Sequence, residues 1–231
     1  MGEEMSKKKN KNEEIFVINF KTYKEGTDIS AFSLAKKCEA ISKKTKKEII
    51  LCLQAVDLQY AKSLHIQTFA QHIDPFEYGT HTGFVLPSVV KQKGAVGTLL
   101  NHSEHKLRFK YLKECIIAAK KEKLTIIACA DTPKEAAKIA TLCPDYIAIE
   151  PPELIGGKIS VATAEPEIIT KTIKAVHKTK EGKQIKILCG AGVHERRDVE
   201  IALQLGCSGV LIASGVVLAK DQMKELEELM R

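Results

Sequence analysis

What the 231-residue sequence lacks is informative before anything it contains. No Cys-x-x-Cys pair occurs among Cys38, Cys52, Cys115, Cys129, Cys143, Cys189 and Cys207. Their number is odd, their spacing wide and several sit in apolar runs, so they read as reduced core residues rather than a disulfide framework. No secretory signal opens the chain, and its longest apolar stretch, around Gly209 to Ala219, is too short to cross a bilayer. The expectation is a cytoplasmic protein in a reducing compartment, without a membrane partner. No aromatic residue interleaves Lys7, Lys8, Lys9 and Lys11, which supply part of the net charge of +7. Residues 1–13 therefore read as a disordered, solvated basic tail, in preference to an arm for nucleic acid.

A dinucleotide fingerprint is missing too, since Glu195 occupies the place of the third glycine after Gly190-x-Gly192. No composition break divides residues 14–231, and 44% hydrophobic with 28% charged residues is ordinary globular composition, so one domain with one large core is expected there.

What is present is alternation. Short apolar or β-branched runs predict strands at 15–20, 48–53, 66–71, 95–100, 124–129, 146–150, 185–189 and 209–213, with segments of helical spacing between them. Residues 105–122 place Leu107, Tyr111, Cys115 and Ala119 on one face and lysines on the other. Thr132 before Pro133 and Glu135 reads as a helix cap, and residues 221–231 are again amphipathic. Eight strand-helix units predict an α/β fold, an eight-stranded barrel of parallel strands, with an open doubly wound sheet as the alternative.

A barrel of this type carries its chemistry at the carboxyl ends of its strands. Those ends read Asn19-Phe20-Lys21, Asn101-His102-Ser103-Glu104 and Glu150-Pro151-Pro152-Glu153. Strands seven and eight run into Gly190-Ala191-Gly192 and Ala213-Ser214-Gly215. These are either tight turns that need glycine or a bare-amide cradle for phosphate, and their adjacency favours the cradle. Ser103 reads as the start of a helix whose positive end would disfavour the cation of His102. Two prolines and then Gly156-Gly157 after Glu150 suit a lid with one stiff hinge.

Taken together, these motifs resemble the triosephosphate isomerase family in its short archaeal form, from Ile15 to the C-terminus. The resemblance implies a TIM barrel that interconverts dihydroxyacetone phosphate and D-glyceraldehyde 3-phosphate through an enediolate, in glycolysis and gluconeogenesis, with no cofactor and no metal. It also implies roles. Glu150 would be the base, His102 the electrophile, and Lys21, helped by Asn19, the cation that steadies the oxyanion. A neutral histidine beside a glutamate base is already the established pairing in that family. Glu104 would orient Lys21, while Ile155, Gly156, Gly192, Ala213 and Ser214 would hold the phosphate. The segment from Gln71 through Thr82 resembles a loop that reaches into a neighbouring subunit, which implies a homo-oligomer with Thr82 at the contact. One stretch departs from the pattern: Gly157-Lys158-Ile159-Ser160-Val161-Ala162 stands where the family usually has Thr-Gly-Ile-Pro-Val-Ser. His194 also replaces a small hydroxyl residue, either as a surface helix-start residue or as a phosphate neighbour. Two rivals remain: another phosphate-binding barrel enzyme, and a barrel turned scaffold that uses its basic tail.

Overall fold

The computed structural model describes residues 14–151, 160–190 and 192–231. Residues 1–13, 152–159 and Ala191 lie outside the described residues, and with them the expected tail, Ile155, Gly156 and most of the expected lid.

Eight parallel strands close on themselves in chain order: β1 (Ile15–Asn19), β2 (Glu48–Leu53), β3 (Gln67–Ala70), β4 (Gly97–Leu100), β5 (Thr125–Ala130), β6 (Tyr146–Ile149), β7 (Lys186–Gly190) and β8 (Gly209–Ile212). β1 pairs with both β2 and β8, which excludes the open sheet. Each strand lies within two residues of its sequence prediction, the margin by which hydrogen-bond patterns fray at strand ends. The crossovers carry α1 (Asp28–Thr45), α2 (Pro87–Gln92), α3 (Phe109–Lys121), α4 (Pro133–Ala140), α5 (Val161–Ala164), α6 (Pro166–His177) and α7 (Arg196–Gln204), and α8 (Ser214–Val217) and α9 (Gln222–Leu229) follow the last strand. Between β2 and β3 the connection is a 3-10 stretch, Ala55–Ser63, rather than an α-helix.

Alternation along the strands sorts side chains into two layers. Ile15, Val17, Ile50, Cys52, Phe69, Leu99, Ile127, Cys129, Ala148, Leu188 and Leu211 fill the barrel interior. A larger apolar layer, including Phe16, Ile18, Phe20, Leu34 and Leu51, lies between strands and helices. Gly97 faces Phe69 across the β3–β4 register, and a Cβ there would stand 2.5 Å from the Phe69 ring. The glycine is what lets one aromatic ring occupy the interior at that level.

One helix prediction is corrected. Residues 105–122 do not form a single helix: Ser103–His105 make a 3-10 turn, Arg108 is extended, and α3 begins at Phe109. The intervening chain is held by other bonds, Leu107 N–H donating to Asn101 Oδ1 and Lys106 Nζ to Glu135. Helical periodicity is blind to such side-chain anchors. The cap predicted at Thr132 does form, its side chain accepting from Glu135 N–H, and the structure adds a second at Asp221, which accepts from Lys224 N–H. Six cysteines are buried and Cys143 is exposed. No described helix is long and apolar enough to cross a membrane.

Candidate active site

The inward-facing alternation of β1, β6 and β7 continues to their carboxyl ends. There it places Asn19, Glu150 and Gly190 in the topmost layer of the barrel, where apolar residues give way to polar ones. Asn19 and Glu150 are both buried, and Glu150 N–H still donates to Ala130 O, extending the β5–β6 ladder by one bond.

Asn19 turns its amide back on its own chain. Its Oδ1 accepts Lys21 N–H at 3.0 Å and holds Lys21 at φ +47°, a left-handed conformation uncommon for a residue with a side chain. Gln71, at the end of β3, donates to Lys21 O at 2.9 Å and to Cys52 O at 3.1 Å. The ammonium of Lys21 then meets Glu104 Oε1 at 2.7 Å.

Asn101 also has a left-handed backbone, φ +59°, and its amide nitrogen bonds to Cys129 O and Glu135 Oε1. The next residue, His102, is buried with Nε2 3.5 Å from Glu150 Oε2 and Nδ1 3.2 Å from Glu104 N, from which it accepts. The helix start expected at Ser103 is thus a three-residue turn capped by His102 itself. So short a turn carries little of the dipole that a full helix would have. The backbone donor at Nδ1 does other work: in the neutral ring it leaves the proton on Nε2, the nitrogen that faces Glu150.

The two groups bias each other's titration. Burial disfavours the His102 cation, but the carboxylates of Glu150 and Glu104 outweigh it and hold the imidazole above its ordinary pKa. Burial likewise pushes the Glu150 carboxyl up, yet His102, the Cys129 thiol and Lys21 bring it below the ordinary carboxylate value. At 3.5 Å the pair is too long for a strong hydrogen bond, and Glu150 Oε2 has no hydrogen-bond partner among the described residues. A buried carboxylate oxygen without a hydrogen-bond partner is an exception among native structures.

Asn19, Lys21, Gln71, His72, His102 and Glu104 help line a cleft of roughly 760 Å³ at this end of the barrel. Beside it the ends of β7 and β8 come together. Gly192 is left-handed at φ +70°, Ser214 opens α8, and a Cβ on Gly215 would stand 3.0 Å from Val193 O. N–H groups in the first turn of a helix have no partner within it, so Ser214 and Gly215 present amides here. His194 is half-buried against Gly215, between the two turns. Among the described residues no group of three His, Cys, Asp or Glu side chains is arranged to hold a metal ion.

The family model for triosephosphate isomerase matches residues 14–230, nearly the whole chain. The chain belongs to the triosephosphate isomerase family. Among its relatives is the triosephosphate isomerase of Methanothermus fervidus, 44% identical over 93% of this chain and 96% of the relative. Another is that of Methanocaldococcus jannaschii, 40% identical over 94% and 99%. Both organisms are archaea, as the short-form resemblance implies. A crystal structure of triosephosphate isomerase from Bartonella henselae shares the fold, with a TM-score of 0.68 over 92% of this chain and 97% of that one at 20% identity.

Within this isomerase fold the structure gathers Asn19, Lys21, His102, Glu104 and Glu150 at one end of the barrel. Gly192, Ala213 and Ser214 lie at the neighbouring strand ends. Thr82 is exposed on the connection between β3 and α2, away from Glu150 in the chain, beside a cluster in which Phe76 stacks on His81 and meets Phe84 edge-on. Three contributors leave no clear signal in the sequence. Gln71 supports Lys21 through main-chain bonds that no motif announces. Cys129 hides as one more apolar strand residue. In the sequence Gly190 looks like a turn residue, whereas its lack of a side chain makes room for Glu150.

Proposed function

We propose that this chain interconverts dihydroxyacetone phosphate and D-glyceraldehyde 3-phosphate, with Glu150 as the base that moves the proton between adjacent carbons. One observation carries this reading above the rest: a buried, open carboxylate oxygen of Glu150 faces the Nε2 side of His102 at 3.5 Å. A three-carbon substrate that enters here and parts the two side chains meets both a base and an N–H donor.

Glu150 takes the carbon-bound proton. His102, neutral and with its proton on Nε2, donates to the oxygen that becomes the oxyanion of the enediolate. Lys21, held by Asn19 and Gln71 and paired with Glu104, adds positive charge on the same side. Glu150 then returns the proton to the neighbouring carbon, so no external acid or base is consumed. The amides at Gly192, Ala213 and Ser214, with Ile155 and Gly156 from the segment after Glu150, hold the phosphate end. Nothing in these steps calls on a cofactor or metal.

Residues 14–231 act as the catalytic domain, and the protein works as a homo-oligomer with Thr82 at the subunit contact. The exposed Phe84 and Tyr78 beside that loop support the assembly. A coupled assay of the purified chain with glyceraldehyde 3-phosphate tests the activity. Glu150→Gln should lower kcat by at least roughly a hundredfold, the low end for removing a positioned acid or base. Near-native turnover in that variant would remove Glu150 from the role.

A further inference from the structure

The carboxylate of Asp198 receives hydrogen bonds from two segments that flank the proposed phosphate end. Its Oδ2 accepts the main-chain N–H groups of His194 and Glu195, at 3.0 and 3.2 Å. Its Oδ1 accepts the hydroxyls of Ser160 and Thr163, at 2.6 and 3.1 Å. Both Asp198 and Ser160 are buried.

The first pair has a local explanation. Asp198 is the third residue of α7 and completes a capping box with Glu195. The second pair does not, because a helix start needs nothing from hydroxyls 38 and 35 positions away in the chain. Those hydroxyls belong to the head of α5, just after the segment that begins at Pro152. Ser160 also stands where the family pattern carries proline. A proline ring fixes its own φ, whereas a serine leaves φ free. Here the restraint comes from outside, through a short charge-assisted bond to a buried carboxylate.

We propose that Asp198 is a positioning residue for phosphate binding: it ties the head of α5 to the loop after β7, so that Gly192 and Val193 present their amides in one fixed arrangement. This inference rests on the isomerase reading above. The charge state matters, because only an ionised carboxylate has acceptors for all four donors. An asparagine would turn an NH₂ group toward one pair and oppose donor with donor.

Steady-state kinetics with glyceraldehyde 3-phosphate, and inhibition by inorganic phosphate, test the idea. In Asp198→Asn, KM and the inhibition constant for phosphate should rise together by about tenfold, the equivalent of one lost charge-assisted bond, while kcat changes less. Thr163 is exposed, so its variants keep the test valid if Asp198→Asn does not fold. Thr163→Val should raise both constants about threefold, within the range for one neutral hydrogen bond, and Thr163→Ser, which keeps the hydroxyl, should match wild type. A fall in kcat with phosphate inhibition unchanged would overturn the proposal, as would Thr163→Ser behaving like Thr163→Val, or wild-type constants in every variant. A wild-type chain that does not isomerise the substrate at all would instead overturn the functional reading.

Discussion

Gly190 lies directly beside Glu150: a Cβ built on the glycine would stand 2.5 Å from Glu150 Cγ and 3.0 Å from its Cδ and Oε1. The two residues occupy adjacent strand ends, one step beyond the Ile149–Cys189 register pair, with both side-chain directions pointing into the barrel. No side chain fits at 190 while Glu150 keeps this position.

Gly190→Ala should therefore displace the carboxylate without unfolding the barrel. An ångström of misplacement at a reacting group can cost roughly a hundredfold in rate. We expect kcat to fall by about that factor while the circular dichroism spectrum is unchanged. Wild-type kcat would mean that the Glu150 side chain shifts without consequence.

His102 and Glu150 give a prediction with a definite sign. The carboxylate favours the imidazolium and burial opposes it, and at present the carboxylate prevails. With Glu150→Gln the main opposing influence disappears, burial dominates, and the His102 pKa should drop from above 6.5 to below it. The cation, present in the unliganded wild type below its raised pKa, would then be lost at lower pH. Nitrogen-detected NMR titration of the imidazole measures this directly, and an unmoved pKa would sink the coupling.

In the barrel interior, Gly97→Ala drives a methyl group into the Phe69 ring. Overpacking of a tight core costs about 1–3 kcal/mol. Denaturant unfolding should show a loss in that range, and a second change, Phe69→Leu, should recover part of it. If the two changes are additive, the ring and the glycine are not in steric competition.

At the surface, Phe84 is 46% exposed and packs its ring edge against Phe76. If the loop carrying Thr82 forms the subunit contact, Phe84→Glu should shift the mass found by light scattering toward the monomer at micromolar concentration. A monomeric wild type, or a variant of unchanged mass, would contradict that contact.

Strand order, strand positions and the end of the barrel where polar side chains gather were all legible in the sequence, because period-two burial and terminal polar residues leave a direct trace in residue types. The clustering of Asn19, Lys21, His102 and Glu150 was legible for the same reason: each ends a strand, and a closed barrel brings strand ends together. Other features arise from contacts between residues far apart in the chain. Leu107 fits a helical stripe yet lies before α3, because Asn101 captures its N–H. The sequence predicts a helix dipole that disfavours the His102 cation, whereas the neighbouring carboxylates favour it, and the nitrogen that keeps the proton in the neutral ring is set by one backbone donor. Gly190 resembles any turn glycine until Glu150 is set beside it. Asp198 looks like a solvated helix-start acid until four donors converge on it.

The left-handed backbone of Lys21 sets two demands on that position against each other. A side chain in this conformation costs about 1–2 kcal/mol that glycine would not incur. Replacement by glycine would relax the main chain and remove the ammonium in one step, so the variant should melt higher and turn over less. Residue 21 is a place where thermal endurance and turnover select in opposite directions, and persistence of the lysine through laboratory evolution for heat resistance would report that turnover was still under selection.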